Sequence, residues 1–350
     1  MMNEAPSGEQ GVRELSKGQK IRRRTIVGGS ISLVIAGLLM LVDGDSGPLI
    51  VHGFAGLLLL GSVLEAARTA ENFKRTAAAL FAGAAAAWVM TFDILIDAST
   101  PIGYERLSFK PLIEITCASI LAAGGLSAIL QSISPRRGLL QMFLVLVVGV
   151  GLFVNLPERS LLPITGSGVF FLVLLGANPA ESRRPFRVIL EDISRVVWFV
   201  PALCWLALLH SEFGQGGLIS LILLSKVGDI FGYFGGSFFG KHHPLPNLSP
   251  GKTTEGFACS LLGGVAVGSA LAHWGVLPGE DVSLLSGALL GGVMNIAAQV
   301  GDLLESMVKR HAKVKDSGTT FGPSGGFLDL LDSFFLTVPV AVLIGLLTRG

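Results

Sequence analysis

Charged residues are concentrated between positions 302 and 333 of a chain that is otherwise strongly apolar. Asp302 lies at the start of this segment, and Asp329 and Asp332 lie near its end. Carboxylates three residues apart share one face of a helix. Mg²⁺ prefers such hard oxygen ligands together with substrate phosphates, so we predict that Asp302, Asp329 and Asp332 bind Mg²⁺. Capping of a helix N-terminus is the alternative role for Asp329 and Asp332.

A second group of polar residues lies on one helical stripe, because their spacings are four, three, four and three residues. The stripe consists of Asn295, Gln299, Asp302, Ser306 and Lys309. Hydrogen bonding between helices would explain Asn295 and Gln299 well, but it explains Asp302 and Lys309 poorly. A stripe that faces the interior of a helix bundle could instead line a cleft.

A glycine-rich turn follows this stripe and runs from Gly318 to Gly326. Glycines let backbone N–H groups approach an anion, and the N-terminus of the following helix adds a favourable potential. Lys309, Arg310 and Lys315 could neutralise further phosphate charge. Acids for a metal, cations for phosphates and a glycine turn are typical of phosphoryl or nucleotidyl transfer.

Membrane-length apolar segments must position these residues. The chain is 51% hydrophobic and only 15% charged. About eleven apolar segments can be drawn, and they include 138–155, 162–177, 193–210 and 217–236. Several have about 18–22 residues, which is the length that crosses a bilayer as a helix. We predict an all-α, polytopic integral membrane protein with about 9–11 transmembrane helices. The formal net charge of +1 provides no basic field for nucleic acid, so we expect no nucleic-acid partner.

Basic residues are unevenly distributed between the predicted connections. With the N-terminus in the cytoplasm, most of them fall in cytoplasmic connections, as the positive-inside rule expects. This orientation gives a cytoplasmic tail at 1–24, N-terminal transmembrane helices at 25–192 and a catalytic transmembrane region at 193–350. Loops 238–255 and 304–326 would then face the cytoplasm from the cell (inner) membrane. Glu65 is expected to be a solvated helix end.

Four ordered motifs in the second half of the chain resemble those of the phosphatidate cytidylyltransferase (CDP-diacylglycerol synthase) family. The signature S-x-x-K-R-x-x-x-x-K-D-x-G, with a glycine turn and D-R-x-D after it, is matched by Ser306, Lys309, Arg310, Lys315, Asp316, Gly318, Gly325, Gly326, Asp329 and Asp332. The other similar motifs begin at Asp229 (D-I-F-G-Y), Ser249 (S-P-G-K-T-T-E-G) and Gly301 (G-D-L-L-E-S). The chain departs from the family at Ser324 and Leu330, where the family has His and Arg.

The resemblance implies the reaction of CTP with phosphatidate to give CDP-diacylglycerol and pyrophosphate. It implies a catalytic set of Asp302, Lys309, Asp329 and Asp332. Substrate and cofactor binding would fall to Asp229, Lys252, Ser306, Arg310, Lys315, Asp316, Gly325 and Gly326. Among these, Asp229 or Asp316 could assist in holding Mg²⁺. Because Leu330 replaces an Arg, we expect Asp329 and Asp332 to be less compensated in charge.

Three other functions remain open at the level of the sequence. A CTP-dependent lipid-alcohol kinase would transfer the γ-phosphate, and a related cytidylyltransferase would use another lipid phosphate. A transporter would explain the apolar segments and intramembrane charges, but not two ordered loop motifs. The expected partners are CTP, phosphatidate and the lipid bilayer, and the chain could form a homodimer.

Overall fold

The regular elements of the protein are helices, as seen in a computed structural model that describes residues 37, 41–42, 47–70, 72–96, 109–131, 184–279, 281–322 and 325–347. In chain order they are α1 (Gly47–Arg68), α2 (Phe73–Ile96), α3 (Phe109–Gln131), α4 (Arg184–Phe239), α5 (Thr254–His273), α6 (Leu284–His311), α7 (Phe327–Leu331) and α8 (Phe334–Leu347).

Six helical stretches in the described part of the chain are long and apolar enough to cross a membrane. They are α1, α2, residues 191–239 of α4, α5, α6, and α7 together with α8. A shorter apolar helix covers residues 111–127 within α3. The prediction of an all-helical, multi-pass membrane protein is therefore confirmed. The predicted segments 138–155 and 162–177 lie outside the described residues, so the total of about 9–11 spans stays a prediction.

α4 joins two apolar segments, 193–210 and 217–236, that were predicted as separate helices. The helical stretch continues from Arg184 to Phe239 and is interrupted at Gly214, where φ is 59° and ψ is −161°. A side chain would disfavour this positive φ, and glycine adopts it readily. The bend divides α4 into a half that packs on the N-terminal helices and a half that reaches the polar loops.

The first half of α4 is fixed by a buried carboxylate. Asp192 is fully buried, and it accepts hydrogen bonds from Thr76 Oγ1 at 3.1 Å and Ser127 Oγ at 2.5 Å. Arg195 Nη1 lies 3.4 Å and Arg75 Nε 4.0 Å from the same carboxylate. This network joins α2, α3 and α4, and it supplies the partners that a charge inside a membrane protein requires.

The second half of α4 meets α5 and α6 at polar and small residues. Asn295 Nδ2 donates to Ser260 Oγ at 3.1 Å, and Gln299 Nε2 donates to Asn295 Oδ1 at 2.5 Å. A side chain at Gly228 would overlap the Asn295 amide. Asn295 therefore takes part in an inter-helical hydrogen bond, which is the simpler of the two roles considered for it.

α5 and α6 are packed backbone to backbone. A methyl group at Gly268 or Gly291 would collide with the main chain of the facing helix, at Gly287 and Gly264 respectively. Small residues at this spacing allow close helix contact in membranes. α6 then continues to His311, so the predicted loop 304–326 begins as helix. The close contact fixes the direction in which α6 presents its C-terminal half.

Substitution at two adjacent glycines tests this contact. We expect Gly291→Ala to lower the free energy of unfolding by about 1–3 kcal/mol, because overpacking would force α5 and α6 apart. The matched Gly292→Ala places its methyl 3.4 Å from Val265 Cγ2 and should leave stability within about 1 kcal/mol of the wild type. Thermal unfolding of the purified variants in detergent measures both effects, and equal stabilities would contradict the packing described.

Candidate active site

Three carboxylates from two parts of the chain converge toward the C-terminal end of α6, which is predicted to face the cytoplasm. Asp302 and Glu305 are one helical turn apart on α6, and Asp332 lies between α7 and α8. One oxygen from each lies within 4.8 Å of the others. Glu305 is 1% exposed, whereas Asp302 and Asp332 are partly accessible. We refer to these three residues as the acid triad.

Each member of the acid triad has a lysine of its own. Lys226 Nζ of α4 lies 3.2 Å from Asp332 Oδ1. Lys252 Nζ, in the loop before α5, lies 2.5 Å from Asp302 Oδ2. The third pair joins Lys309 to Glu305, one turn apart on α6. The triad is therefore a junction of four segments, α4, the loop before α5, α6 and the α7–α8 turn.

Lys309 also contacts Asp329, and this contact organises the glycine-rich turn. Lys309 Nζ donates to Asp329 Oδ1 at 2.7 Å. Asp329 Oδ2 accepts from the backbone N–H groups of Ser317 at 2.9 Å and Gly326 at 2.8 Å. Asp329 therefore caps its own short helix, and it lies beside the triad without belonging to it. The Gly326 N–H is directed to this carboxylate.

Glu65 is buried, contrary to the expectation of a solvated helix end. The residue is 2% exposed. Its Oε1 accepts from Thr320 Oγ1 at 2.8 Å, and its Oε2 accepts from Leu328 N at 3.1 Å. The end of α1 is thus covered by the glycine-rich turn, a contact between residues more than 250 positions apart that no local pattern indicates.

The loop between α4 and α5 is held by Glu255. Its Oε2 accepts from the backbone N–H groups of Lys241 at 3.0 Å and His242 at 3.3 Å, and its Oε1 lies 2.6 Å from His242 Nδ1. Arg310 Nε donates to the carbonyl of Leu248 at 3.3 Å. Arg310, predicted to contact phosphate, thus joins the end of α6 to this loop.

A cavity of about 170 Å³ adjoins the triad between α4, α5 and α6. Glycines 228, 232, 251 and 256 form much of its wall, and Asp229, Lys252 and Gln299 supply polar groups. Since the Lys252 ammonium also contacts Asp302, this lysine connects the cavity to the acid triad. A substrate bound in the cavity would therefore lie next to the carboxylates.

The acid triad fits a hard divalent cation. It offers carboxylate oxygens, which Mg²⁺ prefers. Both oxygens of Glu305 are buried and accept no well-aligned hydrogen bond from the described residues, although the Lys309 ammonium is in ionic contact. The region contains two more acids than lysines, so its formal negative charge attracts a cation. The acids are Asp229, Asp302, Glu305, Asp329 and Asp332, and the lysines are Lys226, Lys252 and Lys309.

Most of the residues singled out from the sequence come together here. Asp302 and Asp332 belong to the triad. Beside the triad or the cavity lie Lys309, Asp329, Lys252 and Asp229, and Ser306 is buried on α6. Lys315 and Asp316 are exposed after the end of α6, and Gly325 (φ 86°) forms the turn. Asp329 and Asp332 have Lys309 and Lys226 as partners, so each aspartate has a counter-charge although Leu330 replaces the Arg. Ser324 lies outside the described residues.

Two candidate site residues, Glu305 and Lys226, were not predicted from the sequence. The pairing of Asp302 with Glu305 could have been found, because acids three residues apart lie on one helical face. Lys226 lies within an apolar segment and its partner Asp332 lies 106 residues away, so no local pattern joins the two.

Three known proteins with similar sequences bear the same name, phosphatidate cytidylyltransferase. A phosphatidate cytidylyltransferase of Mycobacterium bovis is 36% identical over 148 residues, which are 41% of this chain and 47% of the relative. One of Chlamydia trachomatis is 37% identical over 136 residues, or 38% and 44% of the two chains. One of Thermotoga maritima is 26% identical over 252 residues, or 70% and 91%. The chain thus spans about half the length of the first two relatives.

The alignment with a whole family extends further than these pairwise similarities. The model of the cytidylyltransferase family matches residues 22–347, which include every helix described above. Because the match covers nearly the whole chain, with the acid triad and its lysines inside it, the protein belongs to the cytidylyltransferase family.

Proposed function

We propose that the protein is a phosphatidate cytidylyltransferase, which converts CTP and phosphatidate into CDP-diacylglycerol and pyrophosphate. The observation that carries this proposal is the acid triad beside a cavity in a multi-pass membrane protein, with a lysine on each carboxylate. Such a site suits the joining of a water-soluble nucleotide to a lipid phosphate. The names of the relatives support the same substrates.

The reaction needs the chain to align two phosphates. A phosphate oxygen of phosphatidate attacks the α-phosphorus of CTP, and the bond from that phosphorus to the bridging oxygen breaks, which releases pyrophosphate. The attacking phosphate is already ionised, so no general base is required. Positioning and charge stabilisation therefore supply the catalysis, as in other phosphoryl transfers.

The triad and its lysines divide this work in our proposal. Asp302, Glu305 and Asp332 would hold Mg²⁺, which supplies positive charge to the attacking and leaving oxygens when it is bound. Lys252 at the cavity would bind the triphosphate, and Lys226, deeper along α4, would bind the lipid phosphate. Ammonium groups fixed in a partly dry site stabilise developing phosphate charge more than they would in water.

The end of α4 offers a path for the lipid. Tyr233, Phe234, Phe238 and Phe239 are exposed by 53–75% and lie directly before the loop that carries Lys252. Tyrosine is favoured at the membrane–water interface, and exposed phenylalanine rings offer an apolar surface to acyl chains. We infer that phosphatidate enters sideways along this surface, while CTP enters from the cytoplasm. A homodimer remains a prediction.

A labelling experiment tests the reaction. Protein purified in phosphatidate-containing nanodiscs should transfer label to lipid from α-³²P-CTP and not from γ-³²P-CTP, in the presence of Mg²⁺. Asp332→Asn should lower kcat/KM by roughly 100-fold or more, because the lost charge stabilisation amounts to several kcal/mol.

The matched control is Asp281→Asn, the same chemical change at the opposite end of α6. Asp281 is exposed with φ 50°, a conformation that asparagine tolerates, and activity should stay at the wild-type level. Transfer of label from the γ-position would instead establish a kinase. Full activity in Asp332→Asn would remove this aspartate from the reaction.

A second experiment tests the triphosphate contact. Lys252→Met should lower kcat/KM for CTP by roughly 10–100-fold, since a hydrogen bond to a charged group contributes about 1.5–3 kcal/mol. The loss should appear mainly in the KM for CTP and leave the KM for phosphatidate little changed. Lys74→Met, an equal charge change at an exposed position on α2, provides the control. An unchanged KM for CTP would exclude this role for Lys252.

The orientation can be tested on intact cells. We propose that the two polar loops, 238–255 and 304–326, face the cytoplasm, because basic residues concentrate on that side. In a chain whose own cysteines are replaced by serine, a cysteine at exposed Lys315 should resist a membrane-impermeant maleimide until the cells are opened. A cysteine at exposed Asp281, at the other end of α6, should react at once. The reverse pattern would invert the proposed topology.

A further inference from the structure

The buried acid at the end of α1 is held only by neutral donors in the described part of the chain. Glu65 accepts from Ser317 Oγ at 3.1 Å, Thr320 Oγ1 at 2.8 Å and Leu328 N at 3.1 Å. Along the chain, the three donors lie before, within and after the glycine-rich turn. No ion pair with a described Lys or Arg accompanies them. The carboxylate thus gathers three points of one loop around itself.

The loop is shaped to admit this carboxylate. A methyl group at Gly318 or Gly326 would collide with the Glu65 carboxylate, and one at Gly61, on the preceding turn of α1, would collide with the Phe327 ring. Only glycine leaves enough space at these positions. The two loop glycines, which the sequence suggested as phosphate contacts, therefore make room for a side chain from the N-terminal half.

A short series of polar contacts leads from Glu65 to the acid triad. Ser317 Oγ lies 2.7 Å from Asp329 Oδ2 as well as 3.1 Å from Glu65, and its single proton can be donated to one carboxylate at a time. Asp329 in turn holds Lys309, which pairs with Glu305. The position of Lys309 at the triad therefore depends on where the turn is fixed.

We propose that Glu65 is a positioning residue of the active site. It anchors segment 317–328 so that Asp329 holds Lys309 against Glu305, which sets the geometry of the acid triad. The inference deepens the proposed function and rests on it. It also gives the N-terminal helices a part in the reaction, since α1 supplies an interaction that the catalytic segment cannot make for itself.

Three substitutions at Glu65 distinguish the effect of its side-chain length from the effect of its charge. Glu65→Gln keeps the side-chain length and one oxygen that can accept two hydrogen bonds, but it removes the charge. Glu65→Asp keeps the charge but is one methylene shorter, so its oxygens cannot reach all three donors. Glu65→Ala removes every acceptor. Ser62→Ala is the matched control, because Ser62 is buried one turn earlier on α1 and has no hydrogen-bond partner among the described residues.

Two measurements that need no turnover report on the anchor, in full-length protein in lipid nanodiscs. Hydrogen exchange of segment 317–328, which includes the Leu328 amide, should accelerate in Glu65→Asp and Glu65→Ala. The affinity for Mn²⁺, measured by electron paramagnetic resonance without nucleotide, should fall by about 10–100-fold, as is usual for residues that orient ligands. Glu65→Gln should lie nearer the wild type in both. In the CTP assay, kcat should fall more than the KM for CTP.

The outcomes distinguish the inference from its alternatives. Unchanged exchange and Mn²⁺ affinity in Glu65→Ala, or an equal loss in Ser62→Ala, would overturn it. Wild-type Mn²⁺ affinity in Glu65→Asp together with a loss in Glu65→Gln would show that charge matters and reach does not, and would also overturn it. Should Glu65→Ala fail to fold, the comparison of Asp with Gln decides alone. The expected Mn²⁺ results without any CTP activity in the wild type would refute the proposed function and leave the anchor supported.

Discussion

One half-buried lysine shared by two carboxylates is the interaction on which the rest of the site depends. Lys309 pairs with Glu305 on its own helix and with Asp329 after the glycine-rich turn. Removing one member of a buried ion pair costs about 3–5 kcal/mol, because the partner is left as an uncompensated charge. If the end of α6 or the start of α7 moved far, a charged group would therefore be left unpaired in a poorly solvated environment.

The fold meets this constraint by bringing charges from several helices to one end of the bundle. Lys226 comes from α4 and Lys252 from the following loop, and each pairs with an acid from another segment. The glycine contact between α5 and α6 fixes the direction in which α6 carries Asp302 and Glu305 to this end, since backbones in contact leave little room for sliding. Lysines that neutralise carboxylates also lie where substrate phosphates would arrive. Stability and binding thus make use of the same groups.

Local patterns predicted what is local in this structure. Apolar length alone indicated the membrane helices, and helical spacing placed Asp302 and Lys309 on one face of α6. The failures arise from contacts between distant parts of the chain. Glu65 resembles an ordinary helix end until the turn 252–263 residues later covers it. Glycines are equally suited to approach a phosphate or a buried carboxylate, so their presence could not distinguish the two.

Leu330 illustrates why a motif has to be assessed in three dimensions. In the sequence, the missing Arg suggested that Asp329 and Asp332 are less compensated in charge. In the structure, Asp329 has Lys309 at 2.7 Å and Asp332 has Lys226 at 3.2 Å, each from a different helix. An Arg at position 330 would be a fourth cation beside Lys226, Lys252 and Lys309. Leu330 instead leaves the acids in excess of the lysines, and this excess is what favours a divalent cation at the site.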